Sequence, residues 1–166
     1  MSHRNHFKIL AVVLVSIFLI LPVLIAGPGK SAKVCDVNSV HDGDTMRLTC
    51  SGQKIKVRLY CIDTPELAQR PWGPESREFL RSHVGDTVEL LEHGKDRYGR
   101  ILAEVISEGQ NLNLALVESG HAAVYVKYCK LDGYYQAEKK ASNELLGIWS
   151  SPGLHQMPWA WRKKNR

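Results

Sequence analysis

The sequence predicts an α+β domain in which five short strands close into a small barrel and three α-helices pack against it. Three observations lead there. Short runs alternate apolar and polar residues with period two, and Gly, Asp and Ser turn signals separate them, as expected of half-buried strands. Segments with apolar residues at helical spacing, closed by glycine, lie between and after those runs. The resulting order, β-β-β-α-β-β-α-α, suits a barrel flanked by helices, an OB-like arrangement.

Residues 33–40 form the first expected strand, entering a two-residue hairpin turn at Asp42-Gly43, with Asp44 opening the outgoing strand. Ser51-Gly52 is a second turn. The strand over 54–62 places Ile55, Val57 and Leu59 on one face and Lys56, Arg58 and Tyr60 on the other, and ends in Asp63-Thr64-Pro65-Glu66. A loop over 67–73 leads to a helix opened by Pro74-Glu75-Ser76, with Phe79, Leu80 and Val84 on its apolar stripe and Gly85 at its end. Strands follow over 87–91 and 100–106, joined by a polar turn over 92–99. The second helix runs over 111–119, with Leu112, Ala115 and Leu116 at helical spacing and Gly120 as its stop. A short apolar-to-aromatic segment, 122–128, precedes the last helix over 134–146, capped by Gly147. Trp149 packs back on the domain.

The 166 residues divide into a domain at 33–150, a leader at 1–32 and a Trp-rich basic tail at 151–166. The leader has Arg4 and Lys8 before an apolar run over 9–26, which reads as a signal peptide or an uncleaved membrane anchor that places the domain outside the cytoplasm. The net charge of +5 resides at the ends, since the body between Lys33 and Trp161 holds 15 basic and 17 acidic residues. A polyanion would therefore be held by local cations and not by a broad positive field. A monomer is expected.

Four cysteines in an exported domain favour two disulfides, for which three connectivities exist. A two-residue turn at Asp42-Gly43 sets Cys35 opposite Cys50, and the pairing Cys35–Cys50 with Cys61–Cys129 is expected. Zinc is disfavoured, because no C-x-x-C spacing and no histidine pair at ligand spacing occurs.

The strand meander brings Asp44 and Asp63 together, with Arg58 and Glu66 close by. Converging carboxylates call for a cation, and an arginine among them suggests an anionic ligand. Taken singly, each residue has a plainer reading. Asp42 and Asp44 suit a turn; Asp63 and Glu66 suit a helix capping box; Tyr98, Tyr125 and Tyr128 suit packing; the basic run from Arg162 to Arg166 suits a solvated tail. His41, His83, His93, His121 and His155 have no spacing that points to catalysis.

Taken together, HDGDT, KVRLYCIDTPE, WGPES, DRYGR, GHAAVY and GIWS, in that order, resemble the staphylococcal (micrococcal) thermonuclease family from Lys33 to about Ser150. The resemblance implies a five-stranded OB barrel and a calcium-dependent nuclease acting on DNA and RNA. It implies metal ligation by Asp44, Asp63 and the Thr64 carbonyl, with Arg58 and Arg100 on the phosphate and Glu66 as the catalytic carboxylate. Arg97 and Tyr98 correspond to residues near the terminal phosphate, and Tyr125 and Tyr128 fall near base-stacking tyrosines. Asp42 is expected to order metal-bound water. The chain departs from the best-known member in a shorter loop after Glu66, four added cysteines and a different C-terminal tail. Two other functions fit the barrel: a non-catalytic nucleic-acid-binding module, and an envelope interaction protein using Trp159 and Trp161 as contacts.

Overall fold

The computed structural model describes residues 32–165. The leader expected at 9–26 lies outside the described residues; among those described, no helix is long and apolar enough to cross a membrane. Five strands form the barrel: β1 (Lys33–Val40), β2 (Thr45–Cys50), β3 (Gln53–Leu59), β5 (Thr87–Lys95) and β6 (Ile101–Ser107), in the order β3-β2-β1-β5-β6. Parallel pairing of β3 with β6 closes it, with Arg58 opposite Leu102. The alternation read from the sequence fills the interior with Met46, Leu48, Val57, Leu59, Val88, Leu90, Ala103 and Val105. Each such aliphatic side chain contributes roughly 1.5–3 kcal/mol by leaving water. A short strand β4 (Ile62–Asp63) leaves the barrel to pair with β8 (Ala123–Val124), and β7 (Gln110–Asn111) extends β6.

Among the described residues four α-helices, α1 (Trp72–His83), α2 (Leu112–Glu118), α3 (Asp132–Asn143) and α4 (Pro158–Lys164), surround the barrel. Asn111 caps α2 by accepting the Leu114 N–H. The buried Asn113 binds the Tyr60 and Ala103 carbonyls and the Val105 N–H, so its polar atoms are satisfied where α2 meets β3 and β6.

Several expectations need correcting. The β1–β2 turn has three residues, because His41 N–H donates to Thr45 O and Val40 pairs with Met46. A bulge between Val37 and Ser39 then restores the register that the shorter turn would have set. The expected Cys35–Cys50 bond therefore forms for a partly different reason, and Cys61–Cys129 forms as well. The strand over 54–62 breaks after Leu59: Cys61 adopts φ +68° and turns the chain out of the barrel. Strand β5 runs on to Lys95, because its hairpin with β6 continues past a bulge at Glu92/Gly94. Only Ala123–Val124 of the segment 122–128 is strand. Helix α4 was not expected; Pro158 starts it, and Met157 and Ala160 pack it against Ile148, Trp149 and Trp72.

Candidate active site

The three-residue turn after β1 carries Asp44. Its backbone N–H donates to Asp42 Oδ1 at 3.0 Å, so Asp42 closes the turn, as its plainer reading held. Burial and the nearby Asp44 charge push the Asp42 carboxyl up to about 6. Gly43 is required for close approach: a Cβ there would lie 2.8 Å from the Ser76 and 2.9 Å from the Thr64 Cβ. The turn thus rests on α1 and on the segment after β4. Thr64 reaches back to Asp44 Oδ2 through its N–H at 3.2 Å and its hydroxyl at 3.0 Å.

Asp44 and Asp63, 7% and 3% exposed, are bridged by Arg58. Arg58 Nη1 lies 2.5 Å from Asp44 Oδ2, off the line of a good hydrogen bond, and Nη2 lies 3.4 Å from Asp63 Oδ1. The expected convergence of the two acids and the arginine is therefore present. Burial raises the Asp63 carboxyl above its ordinary range, and the arginines around it offset only part of that cost.

Glu66 lies in a loop. No helix begins there, so Asp63 and Glu66 are not a capping box; Asp63 spends its oxygens on arginines instead. The loop is shaped by the buried Gln69, which accepts the Glu66 N–H at 2.7 Å and donates its own to Glu66 O at 2.8 Å. Gly73 lies so close beneath that any Cβ would overlap the Glu66 carbonyl.

Arg162 of α4 was read as part of a solvated tail, and the structure corrects this. Its Nη1 donates to Asp63 Oδ1 at 3.1 Å and to Glu66 Oε1 at 3.0 Å, and its Nη2 to Asp63 Oδ2 at 2.5 Å. Gln69 Nε2 donates to the His155 and Met157 carbonyls, tying the Glu66 loop to the same segment. Neither Gln69 nor Arg162 was singled out from the sequence. The PWAWR run offered one signal, an arginine one helical turn beyond a proline-started apolar patch, but nothing local says where it docks.

Arg100 does not touch the acids. It shares with Arg58 the walls of a cleft of about 400 Å³ that is also lined by Arg97, Tyr98, Tyr125 and Tyr128. Asp96 holds the turn between β5 and β6, accepting Tyr98 and Arg100 N–H and Arg100 Nε. Burial alone would raise the Asp96 carboxyl, but the Arg100 and Tyr98 hydrogen bonds outweigh it and hold it low. Arg97 donates to the Tyr98 hydroxyl and lies over that ring. Tyr125 and Tyr128 meet edge to face at 5.0 Å. The Cys61–Cys129 bond and the Tyr60 hydroxyl, which donates to Tyr128 O, hold their segment against the barrel.

Paired buried acids bridged by an arginine thus lie beside a cleft lined by further arginines and exposed tyrosines. The model of the family described as Staphylococcal nuclease homologue matches residues 56–151. A Haemophilus influenzae protein named an uncharacterized endonuclease is 37% identical over 157 residues, 93% of this chain and 86% of that one. A Shigella flexneri protein named micrococcal nuclease is 35% identical over 143 residues, covering 79% and 81%. An Escherichia coli protein named an uncharacterized endonuclease is 35% identical over 127 residues, covering 75% and 82%. The chain belongs to the staphylococcal nuclease family, and it is a phosphodiester-hydrolysing nuclease with nucleic acid as its substrate.

Proposed function

We propose that the chain is an exported, calcium-dependent nuclease that cleaves DNA and RNA by metal-assisted attack of water. The observation that carries this reading is the Arg58 bridge between two buried acids, at the edge of a cleft that also holds Arg100 and the tyrosines. Among the described residues no three His, Cys, Asp or Glu side chains gather into a metal cage. The donor set on offer is instead two carboxylates, Asp44 and Asp63, with the Thr64 carbonyl and water. That all-oxygen set suits calcium, and the raised Asp63 carboxyl fits a place where positive charge is wanted. When bound, calcium would offset phosphate charge and furnish a water for attack.

The chain's own residues supply the remainder. Glu66, partly exposed and joined to Asp63 through Arg162, accepts the proton of the attacking water. Arg58 and Arg100 donate to the phosphoryl oxygens as charge builds on them. Arg97 and Tyr98 meet the terminal phosphate, while Tyr125 and Tyr128 stack a base without reading its sequence. Asp42 orients groups around Asp44. Residues 1–32 direct export or anchor the chain, 33–150 form the catalytic domain, and 151–166 close over it. The two disulfides support an oxidising compartment.

A zymogram over DNA and RNA, with and without EGTA, tests the reading. Cleavage of both with calcium and none in EGTA is expected; undiminished cleavage in EGTA would remove calcium from the mechanism. An alkaline phosphatase fusion after Lys33 tests export, and absence of phosphatase activity in a well-expressed fusion would contradict it.

A further inference from the structure

Arg162 is a charged group on the acids that neither the sequence patterns nor the chemistry above accounts for. It does not drift over the site by chance. Helix α4 is docked by Met157 and Ala160 against Ile148, Trp149 and Trp72, and Gln69 binds the segment just before it. The guanidinium grips both Asp63 oxygens and adds Glu66. Bidentate pairing of this kind is the strong form of the interaction.

The oxygens nearest the two arginines are then engaged, while Asp44 Oδ1 accepts only the Thr45 hydroxyl. Asp63 Oδ1 receives Arg58 and Arg162, and Oδ2 receives Arg162. Asp44 Oδ2 faces Thr64 N–H, the Thr64 hydroxyl and Arg58. Calcium binds carboxylate oxygens directly, and its charge is repelled by a guanidinium held on those same oxygens, so calcium and an arginine compete for Asp63. Of the two arginines, Arg58 has a side chain only 12% exposed and rises from the barrel strand β3, whereas the Arg162 side chain is 32% exposed and comes from a short outer helix. Arg162 is the one that can swing out while its helix stays docked.

We propose that Arg162 is a resident counter-cation that competes with calcium for Asp63 and so sets the calcium concentration at which the site fills. In the calcium-free protein it neutralises a buried carboxylate that Arg58, shared with Asp44, compensates only in part. When calcium takes Asp63, the guanidinium is released from it and from Glu66, which frees Glu66 to act as a base. The tail is thus part of the active site and tunes its metal requirement. This inference rests on the calcium reading above.

The test is a calorimetric titration of calcium into the full chain without nucleic acid, comparing wild type with Arg162→Gln. The coupling should make the variant bind calcium on the order of tenfold more tightly. Equal or weaker binding by the variant overturns the proposal while leaving the calcium reading intact. Absence of binding in both removes the calcium reading and this inference with it. A second measurement needs no variant: in wild type, the Arg162 side-chain NMR signals should be protected from exchange without calcium and lose that protection at saturation. Protection that persists at saturation overturns the proposal.

Discussion

The two ends of the proposed site, the acids on one side of Arg58 and the aromatic cleft on the other, are built differently. The acid end is buried and cross-braced: Asp44 and Asp63 are almost fully covered, Arg58 spans them, and Thr64 and Gly43 leave the turn no room to shift. The aromatic end is exposed, with Tyr98 at 70% and Tyr128 at 50%, and its residues sit on turns. Chemistry that depends on sub-ångström placement is carried by strands and tight packing. Holding a varied polymer needs only rings and cations that can adapt to it. The Cys61–Cys129 bond joins the ends, since Cys61 precedes Asp63 by two residues and Cys129 follows Tyr128.

Cutting that link has the largest expected effect. The bond spans 68 residues of sequence, and a Cys61→Ala/Cys129→Ala variant should lose about 4 kcal/mol of stability in the chain-entropy model. Denaturant unfolding measures it; a loss no larger than that from a Cys35→Ala/Cys50→Ala variant would mean that the link does not couple the ends.

The acid end should fail in rate. Arg58→Lys and Glu66→Gln should each lower kcat by ~10²-fold or more with folding retained. Single-turnover kinetics decides this, and a change confined to KM would show that these residues bind and do not catalyse. At the aromatic end, Tyr125→Ala and Tyr128→Ala should weaken substrate by roughly 1–3 kcal/mol per base with kcat nearly kept. A collapse of kcat there would erase the contrast between the ends.

The smallest effect concerns the brace behind the cleft. Glu104 receives the Tyr134 hydroxyl, the His93 ring and the Asn111 amide, which joins β6 to α3. Burial raises its carboxyl, but these hydrogen bonds outweigh that and hold it below its ordinary range. The folded state therefore binds the proton less readily than the unfolded one. The stability that Glu104 contributes is present above its unfolded pKa and lost as pH falls through the lower folded value. The melting temperature of wild type over Glu104→Gln should shrink between about pH 6 and about pH 3; a gap independent of pH would assign the residue no such role.

What could be read in the sequence follows the range of the contacts. Asp44 lies in the turn before β2, and Arg58 and Asp63 on β3 and β4, so turn signals and period-two alternation were enough to bring them together. Register was less legible. The Asp42-Gly43 signal predicted a shorter turn than the one formed, and the bulge after Val37 compensated for it. The exit of the chain at Cys61 depends on a left-handed residue that no local pattern announces. Arg162 reaches Asp63 across 99 residues, and only tertiary packing of α4 brings it there. Gln69 is hard to read for the same reason: besides the neighbouring Glu66 backbone, its side chain binds backbone groups of a distant segment.

The central claim is that the buried acid pair is the calcium-dependent heart of the nuclease. The most direct test is cleavage of a single-stranded oligonucleotide by purified Asp44→Ala across a calcium titration, with the melting temperature recorded alongside. The account predicts a folded protein with no calcium-stimulated cleavage at any concentration. Wild-type cleavage by this variant at the wild-type calcium midpoint would contradict it.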